Sequence, residues 1–323
     1  ASKMVYQLPQ LILRGNEPGP SKYVPFRLYN HGGEAMLHYS QSAGISGRDY
    51  TIRLNADGSF TEAAYHSIVN TFGDKAFSFS AAADYGANNL KMKVGNGEYR
   101  DVGDPAYVFG WSWQGGRAGT TPVDAVELVG DELYILGYEW NNGDALNGLY
   151  RVNINTNATT RVTPRHVLYF QRDGDYLYYA SGEGARSYEG HDSVYRYSLQ
   201  DGREELVLRP AMVPAAIKNI AVLNGHVYWQ SSDTTALYDA KGAALNPGGI
   251  CESMVVVGDK EKYLACTFEE TPDSRYRLMV FDRGGGLVFK TSDVAYPGSI
   301  VIEGRELYYY NIVTKTVCHH ALP

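Results

Sequence analysis

The 323-residue chain has little lysine, only three cysteines and no long apolar run. No run reaches the roughly 18 residues of a membrane-spanning helix, so we predict no membrane span. The formal net charge of −7 argues against a nucleic-acid-binding surface, because such a surface needs a basic stripe. There is no Gly-x-Ser-x-Gly motif, no phosphate-binding glycine loop before a helix and hardly any helical pattern. What is abundant is glycine (35 residues) and tyrosine (27 residues), as expected of an all-β chain with many turns.

The three cysteines do not settle the redox compartment. Cys251 and Cys266 flank one predicted hairpin, and they either form a disulfide across it, which would suit export, or are small buried apolar residues. The triplet "CHH" near the C-terminus lies in a predicted strand, where alternation puts Cys318 and His320 on one face and His319 on the other. Two ligands are too few for a zinc site. We therefore predict no metal and no cofactor.

A strand pattern is repeated along the chain. The stretch "GDYLYYASGE" (residues 174–183) has counterparts in "GDELYILGYE", "GHVYWQSSD", "DKEKYLACTFE" and "GRELYYYNIV". Each follows a short apolar run, and each precedes a second hairpin such as "VYRYSLQDGREELVL". Tight glycine turns between apolar runs indicate hairpins. The unit is therefore four short strands, recurring at roughly the 40–50-residue period of propeller blades, and its tyrosines are predicted to pack between blades.

A four-stranded sheet of this size cannot bury both faces alone, whereas radial stacking on its neighbours covers both. We predict an all-β fold, a β-propeller of seven four-stranded blades forming a single domain over residues 1–323. The last unit has only three strands, and "KMVYQL" near the N-terminus has no local partner, so the N-terminal strand is predicted to close the ring. Six or eight blades stay as alternatives, because the first two units fit the repeat less well. The predicted segments are a closing strand (1–10), a linker (11–22) and blades at about 23–66, 67–104, 123–164, 165–210, 216–247, 250–292 and 297–323.

The strand motifs "HVYWQSSD", "YLYYASGE" and "ELYYYNIV" resemble the Tyr-Trp-Thr-Asp repeat of low-density-lipoprotein-receptor-type propellers. They resemble more closely the uncharacterised bacterial secreted propellers related to them. The receptor propellers have six blades and a more regular Thr-Asp, and this chain departs from them. The resemblance implies an extracellular binding or scaffold module, secreted or at the cell surface, and it carries no catalytic residue. A chain that starts at Ala1 is also typical of a processed form.

Function on a propeller resides in loops, so departures from the repeat are informative. One departure is the insertion "YVFGWSWQGGRAGTTP" (residues 107–122), in which Trp111 and Trp113 lie two apart and hence on one side of an extended segment. Indole faces stack on sugars and also pack at protein interfaces. The alternative is an irregular inner strand with two buried indoles.

The other departure is the loop "SGEGARSYEGHDS" (residues 181–193). The tract "PRHV" crosses into the same blade, and "YEWNNGDALN" is the matching loop of the preceding one, so blade topology predicts that all three meet at one mouth of the channel. Arginine pairs with carboxylates and aromatics stack on sugar rings, which favours an acidic glycan. Solvated loop charges without a ligand are the competing interpretation. The predicted ligand-binding residues are Arg165, His166, Arg186, Tyr188, His191, Trp140, Trp111 and Trp113.

We therefore predict an extracellular propeller that binds a glycan or a protein ligand at one face, with glycan favoured. A polysaccharide lyase or hydrolase using the same face is one alternative, in which a histidine or tyrosine base acts on a neutralised uronate. A structural subunit of a surface assembly is the other, with the insertion at 107–122 buried by a neighbour. Enzymatic activity and oligomeric state are left open.

Overall fold

The computed structural model describes residues 4–7, 26–31, 34–43, 46–55, 57, 59–62, 70–79, 89–114, 117–120, 126–140, 148–167, 169–182, 191–210, 217–232, 235–258, 260–271, 275–294, 300–311, 313–314 and 316–323. Over these ranges the chain forms 30 β-strands and no helix. No membrane-spanning helix is therefore present in this part of the chain. The predicted linker at 11–22 lies outside the described residues.

The strands are, in chain order, β1 (Met4–Gln7), β2 (Phe26–His31), β3 (Glu34–Ala43), β4 (Ser46–Leu54), β5 (Phe60–Glu62), β6 (Asn70–Phe72), β7 (Lys75–Phe79), β8 (Leu90–Val94), β9 (Arg100–Asp101), β10 (Tyr107–Phe109), β11 (Trp111–Gln114), β12 (Arg117–Thr120), β13 (Val126–Val129), β14 (Glu132–Glu139), β15 (Gly148–Asn153), β16 (Thr159–Arg161), β17 (Phe170–Asp173), β18 (Tyr176–Ser181), β19 (Ser193–Ser198), β20 (Glu204–Leu208), β21 (Ile217–Leu223), β22 (His226–Ser231), β23 (Leu237–Tyr238), β24 (Ile250–Gly258), β25 (Lys262–Thr271), β26 (Arg275–Phe281), β27 (Leu287–Val294), β28 (Ile300–Glu303), β29 (Glu306–Asn311) and β30 (Thr316–Ala321).

These strands form successive antiparallel meanders, which we number as sheets. Sheet I is β2–β5, sheet II β6–β9, sheet III β13–β16 and sheet IV β17–β20. Sheet V is β21–β23, and a bridge between Tyr238 and Ala244 extends its outer edge. Sheet VI is β24–β27, and sheet VII is β28–β30 with β1; the pairing of Val294 with Asn311 links these two. Repeated four-stranded meanders of this kind make the fold β-propeller-like.

The tyrosine clusters pack between neighbouring sheets. In β18, Tyr178 packs with residues of sheet V, whereas its neighbour Tyr179 packs with residues of sheet III. In β29, Tyr308 faces sheet I and Tyr309 faces sheet VI. All four are buried because successive strand side chains point to opposite faces and each face is covered by another sheet. The prediction that the tyrosines are packing residues is confirmed.

Apolar clusters join most neighbouring sheets. They lie between sheets II and III, III and IV, IV and V, V and VI, VI and VII, and VII and I. At the last of these contacts the Ala35 amide also donates a hydrogen bond of 3.1 Å to the Glu303 carboxylate. The described residues give no such cluster between sheets I and II. The seven-blade ring therefore stays a prediction.

The N-terminal strand supplies the fourth strand of sheet VII. Met4 lies opposite His319 and Gln7 opposite Thr316, so β1 pairs along the outer edge of β30. The alternation predicted for β30 is also observed, because Cys318 and His320 contact the cluster around Phe289 whereas His319 stacks on Tyr308. Closure of a complete ring by this strand stays a prediction.

The turns between the first and second strands of each sheet are tight. Gly130, Gly174 and Gly304 open two-residue turns with φ near +60°, and Asn224–Gly225 has φ of 52° and 77°. These are the backbone conformations that two-residue hairpin turns require, and glycine or asparagine adopts them at little cost. The glycines that recur in the sequence repeat therefore lie at the hairpin turns between the first and second strands.

Because the strands are antiparallel, successive connections alternate between the two ends of a sheet, which we call the short-turn end and the long-loop end after the connections of sheets II, III and IV. The short-turn end carries the first–second and third–fourth strand turns. The long-loop end carries the second–third strand loops, such as residues 182–192, and the crossings between sheets, such as residues 102–125. Sheets IV and V share this orientation, because Asp173, the last residue of β17, accepts hydrogen bonds from the Asn224 and Gly225 amides in the first turn of sheet V.

Candidate functional site

The described part of the predicted site lies at the long-loop end of sheets III and IV. The crossing from β16 to β17 carries Arg165 and His166, and His191 lies two residues before the start of β19. Trp140 follows β14 in sheet III. Arg186 and Tyr188 lie outside the described residues, so their predicted role stays a prediction.

The insertion at 107–122 contains an inner strand and a hairpin. β10 pairs with the end of β14, with Val108 opposite Tyr138, on the same edge where β13 pairs with the beginning of β14. A side chain at Gly137 would collide with the Val108 carbonyl, so glycine permits this close approach. β11 and β12 then form a hairpin in which Trp111 lies opposite Thr120 and Trp113 opposite Ala118. The two tryptophans thus occupy alternate positions of one strand, and their side chains are not among the described features.

His166 and His191 form a buried pair. The Nδ1 atom of His166 lies 3.0 Å from Nε2 of His191, and both residues are almost fully buried. The Ser181 hydroxyl donates to the His166 carbonyl at 2.8 Å, and the Ile217 amide donates to the His191 carbonyl at 2.6 Å. These two residues therefore connect three parts of the fold: the crossing from β16 to β17, the loop before β19, and β21 of sheet V.

The pair is uncharged at neutral pH. Burial lowers the pKa of His166 to about 4, with a further contribution from His191, and burial likewise lowers the pKa of His191 to about 4. With both rings neutral, one of the two contacting nitrogens carries a hydrogen and donates a hydrogen bond, and the other nitrogen accepts that bond. This arrangement positions the ends of two connecting segments, and the predicted contact of these histidines with a ligand stays a prediction.

Arg165 is held by a carboxylate of sheet IV. Its Nε atom donates to Glu204 Oε1 at 2.8 Å, and its guanidinium lies 3.8 Å above the ring of Tyr195. The Tyr179 hydroxyl donates to the same carboxylate. Burial raises the pKa of Glu204, but hydrogen bonds from Thr163, Tyr179 and Arg165 outweigh it, so the pKa is lowered overall. Glu204 is thus the ionised centre of a half-buried network.

Sequence reasoning missed the role of Glu204. The residue follows a predicted hairpin turn in "DGREE" and has no local feature that distinguishes it from a solvated charge. Its partner Arg165 is 39 residues away, so only the packing of the crossing against β20 brings the two together. A search for an acidic residue facing Arg165 across the predicted blade could have found it.

Trp140 presents a half-buried indole at the same end. Its ring packs against Val108 and Tyr138, and its backbone amide donates to the Ala106 carbonyl at 2.6 Å. The contact links the loop after β14 to the inserted segment. A partly exposed indole fixed in this way offers a rigid apolar face for a ligand.

The described residues hold no group of three or more histidine, cysteine, aspartate or glutamate side chains placed to bind a metal. His319 of the "CHH" triplet bonds to Glu306 instead. All three cysteines are free and buried. The strand register places Cys251 opposite Phe268 and Cys266 opposite Met254, so the two cysteines are not cross-strand partners. They form no disulfide and serve as small buried apolar residues, which was the other predicted possibility. Burial raises the pKa of Cys251 to about 12 and that of Cys266 well above its usual range.

No protein-family model and no curated protein matches the chain. Among solved structures, a puromycin-hydrolysing peptidase of Mycobacterium tuberculosis is 12% identical, with a TM-score of 0.52; the match covers 92% of this chain and 52% of the peptidase, so the chain spans about half its length. BamB of Moraxella catarrhalis is 15% identical (TM-score 0.42, 89% of this chain and 81% of BamB), and a nidogen/laminin complex contains a chain that is 12% identical (TM-score 0.37, 77% and 89%). At these identities the likeness concerns the fold and no activity.

Proposed function

We propose that the chain is a binding or scaffold β-propeller whose ligand or partner binds at the long-loop end. The observation that carries this proposal is the asymmetry between the two ends of the sheets. Every first–second strand turn is two or three residues long, whereas the connections at the other end of sheets III and IV include residues 102–125, 140–147 and 182–192; sheets I and VI lack this asymmetry, because only two residues separate β3 from β4 and three separate β25 from β26. Loops can vary without disturbing the strands, so binding residues are concentrated on them.

Within this class we propose an extracellular, seven-bladed propeller closed by its N-terminal strand, and we take an acidic glycan as the ligand. The half-exposed Trp140 and the arginine-bearing segments around Arg165 support this choice, because aromatic faces stack on sugar rings and guanidinium groups pair with carboxylates. Arg165 already pairs with Glu204, so a ligand carboxylate would meet the exposed remainder of its guanidinium. No described contact favours a lyase or hydrolase, since the predicted bases His166 and His191 are buried against each other.

Binding assays with polygalacturonate, and with dextran as the neutral polymer, test the proposal. We expect salt-sensitive binding of polygalacturonate, because exposed charge pairs are screened over about 8 Å at physiological ionic strength. Trp140→Ala should weaken binding about tenfold, and Tyr99→Ala, an exposed aromatic between β8 and β9 at the short-turn end, should leave it unchanged.

Two results would count against this assignment. If neither polymer binds, an acidic glycan is excluded as the ligand, and binding of a protein partner at the long-loop end is the proposal that remains. Equal loss in Trp140→Ala and Tyr99→Ala would show that the long-loop end is not the binding face.

A further inference from the structure

A pocket of about 250 Å³ lies at the short-turn end, opposite the proposed binding face. It forms where the first turns of sheets IV, V and VI meet. Leu223 provides an apolar wall, and the remaining lining is largely charged or polar. Its charged and polar side chains are those of Asp173, Asn224, Lys260, Lys262 and Arg283.

The acidic groups around this pocket are already satisfied. Both carboxylate oxygens of Asp173 accept backbone hydrogen bonds, from Asn224 at 3.2 Å and from Gly225 at 2.7 Å. Glu261, between the two lysines in sequence, is bound by both Nε and Nη2 of Arg305, at 3.1 and 2.8 Å. This hydrogen bonding lowers the pKa of Glu261, so it stays ionised and engaged by Arg305.

The cationic groups are held less tightly: Arg283 feels the charge of Glu261, but no ion pair among the described residues includes it. Lys260 and Lys262 are exposed, and neither forms an ion pair with any residue that the structure describes. Arg283 reaches the Asn224 side-chain oxygen only at 3.5 Å, the outer limit of a hydrogen bond. Three cations therefore face one concavity in a chain whose net charge is −7. Asp173 contributes one negative charge to the lining, so the three cations leave a net positive excess at this concavity, and such an excess attracts anions.

We propose that this pocket binds a small oxyanion of the size and charge of a phosphate group. Pockets for drug-sized ligands are about 300–1,000 Å³, so the observed volume suits a compact ligand. Lysine ammonium groups bind phosphate as point charges, and the planar guanidinium of Arg283 can donate two parallel hydrogen bonds to it. Occupation would also relieve the mutual repulsion of the three cations. The site is independent of the glycan site, because it lies at the other end of the sheets.

Isothermal titration with inorganic phosphate tests the proposal, with acetate and chloride titrated at the same ionic strength. We expect saturable phosphate binding that is at least about tenfold tighter than acetate or chloride binding. The double variant Lys260→Ala/Lys262→Ala should lose phosphate affinity by about tenfold or more. Lys290→Ala, an exposed lysine in β27 away from the pocket, is the charge-matched control and should bind as the wild type does.

All substituted residues are exposed, so the thermal midpoints should agree and a loss of binding cannot be attributed to unfolding. Arg283→Gln provides a second variant and should weaken phosphate binding in the same direction. Equal affinities for phosphate and chloride would overturn the proposal, because they would indicate general charge screening. A loss in Lys290→Ala as large as in the double variant would overturn it for the same reason.

Discussion

His166 Nδ1 and His191 Nε2 lie 3.0 Å apart in a buried contact that joins the crossing before β17 to the loop before β19. Burial lowers the pKa of both to about 4, whereas in the unfolded chain both bind protons near pH 6.5. Between these values the unfolded state carries more protons, so the free energy of unfolding should fall as the pH is lowered from about 6.5 to 4. We expect a loss on the order of 3 kcal/mol for each histidine, about 6 kcal/mol for the pair, measured by urea unfolding at pH 7 and pH 4.

Two variants separate this contact from general acid denaturation. His191→Asn should show a shallower pH dependence, because one of the two depressed groups is gone. His226→Gln removes an exposed histidine in β22 and should keep the wild-type dependence. The same pH dependence in all three proteins would contradict a role for the pair.

The hydroxyl groups of two adjacent tyrosines should differ in their contribution to stability. Tyr179 donates to the half-buried Glu204, whereas the Tyr178 hydroxyl lies 3.5 Å from Arg196, at the limit of a hydrogen bond. Tyr179→Phe should therefore lower the free energy of unfolding by about 1.5–3 kcal/mol, and Tyr178→Phe by less than about 1 kcal/mol. Urea titrations of both variants provide the comparison. A larger loss in Tyr178→Phe than in Tyr179→Phe would show that the hydrogen bond from Tyr179 to Glu204 does not stabilise the fold.

Removal of residues 1–10 should expose the outer edge of β30. The strand β1 pairs there over the four residues Met4–Gln7, and an unpaired edge costs stability and promotes aggregation. We expect a loss of several kcal/mol, seen as a lower thermal midpoint or as aggregation. Deletion of residues 1–3 alone, which precede β1, is the control. A ten-residue deletion that melts like the full-length protein would rule out a stabilising role for this strand.

The cysteines should be unreactive in the folded protein. All three are buried and free, and burial raises the pKa of Cys251 and Cys266, which disfavours the reactive thiolate. A thiol reagent such as dithionitrobenzoate should therefore detect no rapidly reacting thiol at pH 8, and three after unfolding without reductant. Detection of only one thiol after unfolding would instead indicate a disulfide.

Much of the strand architecture could be predicted from local patterns. The turns at Gly130, Gly174 and Asn224–Gly225 were predictable because a two-residue hairpin needs a positive φ there. The packing of Tyr178 and Tyr179 into opposite interfaces follows from the two-residue period of a strand. The partner of the N-terminal strand was predictable because the last unit lacked one strand and both had unpaired edges.

Less of the candidate site was predictable. Blade topology correctly indicated that the segments carrying His166 and His191 meet, because both connect to one end of sheet IV. It did not indicate that the pair would be buried, or that Glu204 would already occupy Arg165. Those features depend on side chains that come from distant parts of the chain.

The sequence by itself determined the all-β character, the repeated four-stranded unit and the face of each strand, because these depend on turn residues and on side-chain alternation within a few residues. Only the tertiary structure decided which charges are paired and which are left over: Arg165 is held by Glu204, Glu261 by Arg305, and Lys260 and Lys262 meet at a pocket between sheets. The physical reason is that ion pairs and pockets depend on distances of a few ångströms between turns of different sheets. Those distances are set by how the sheets pack, and local patterns do not contain them.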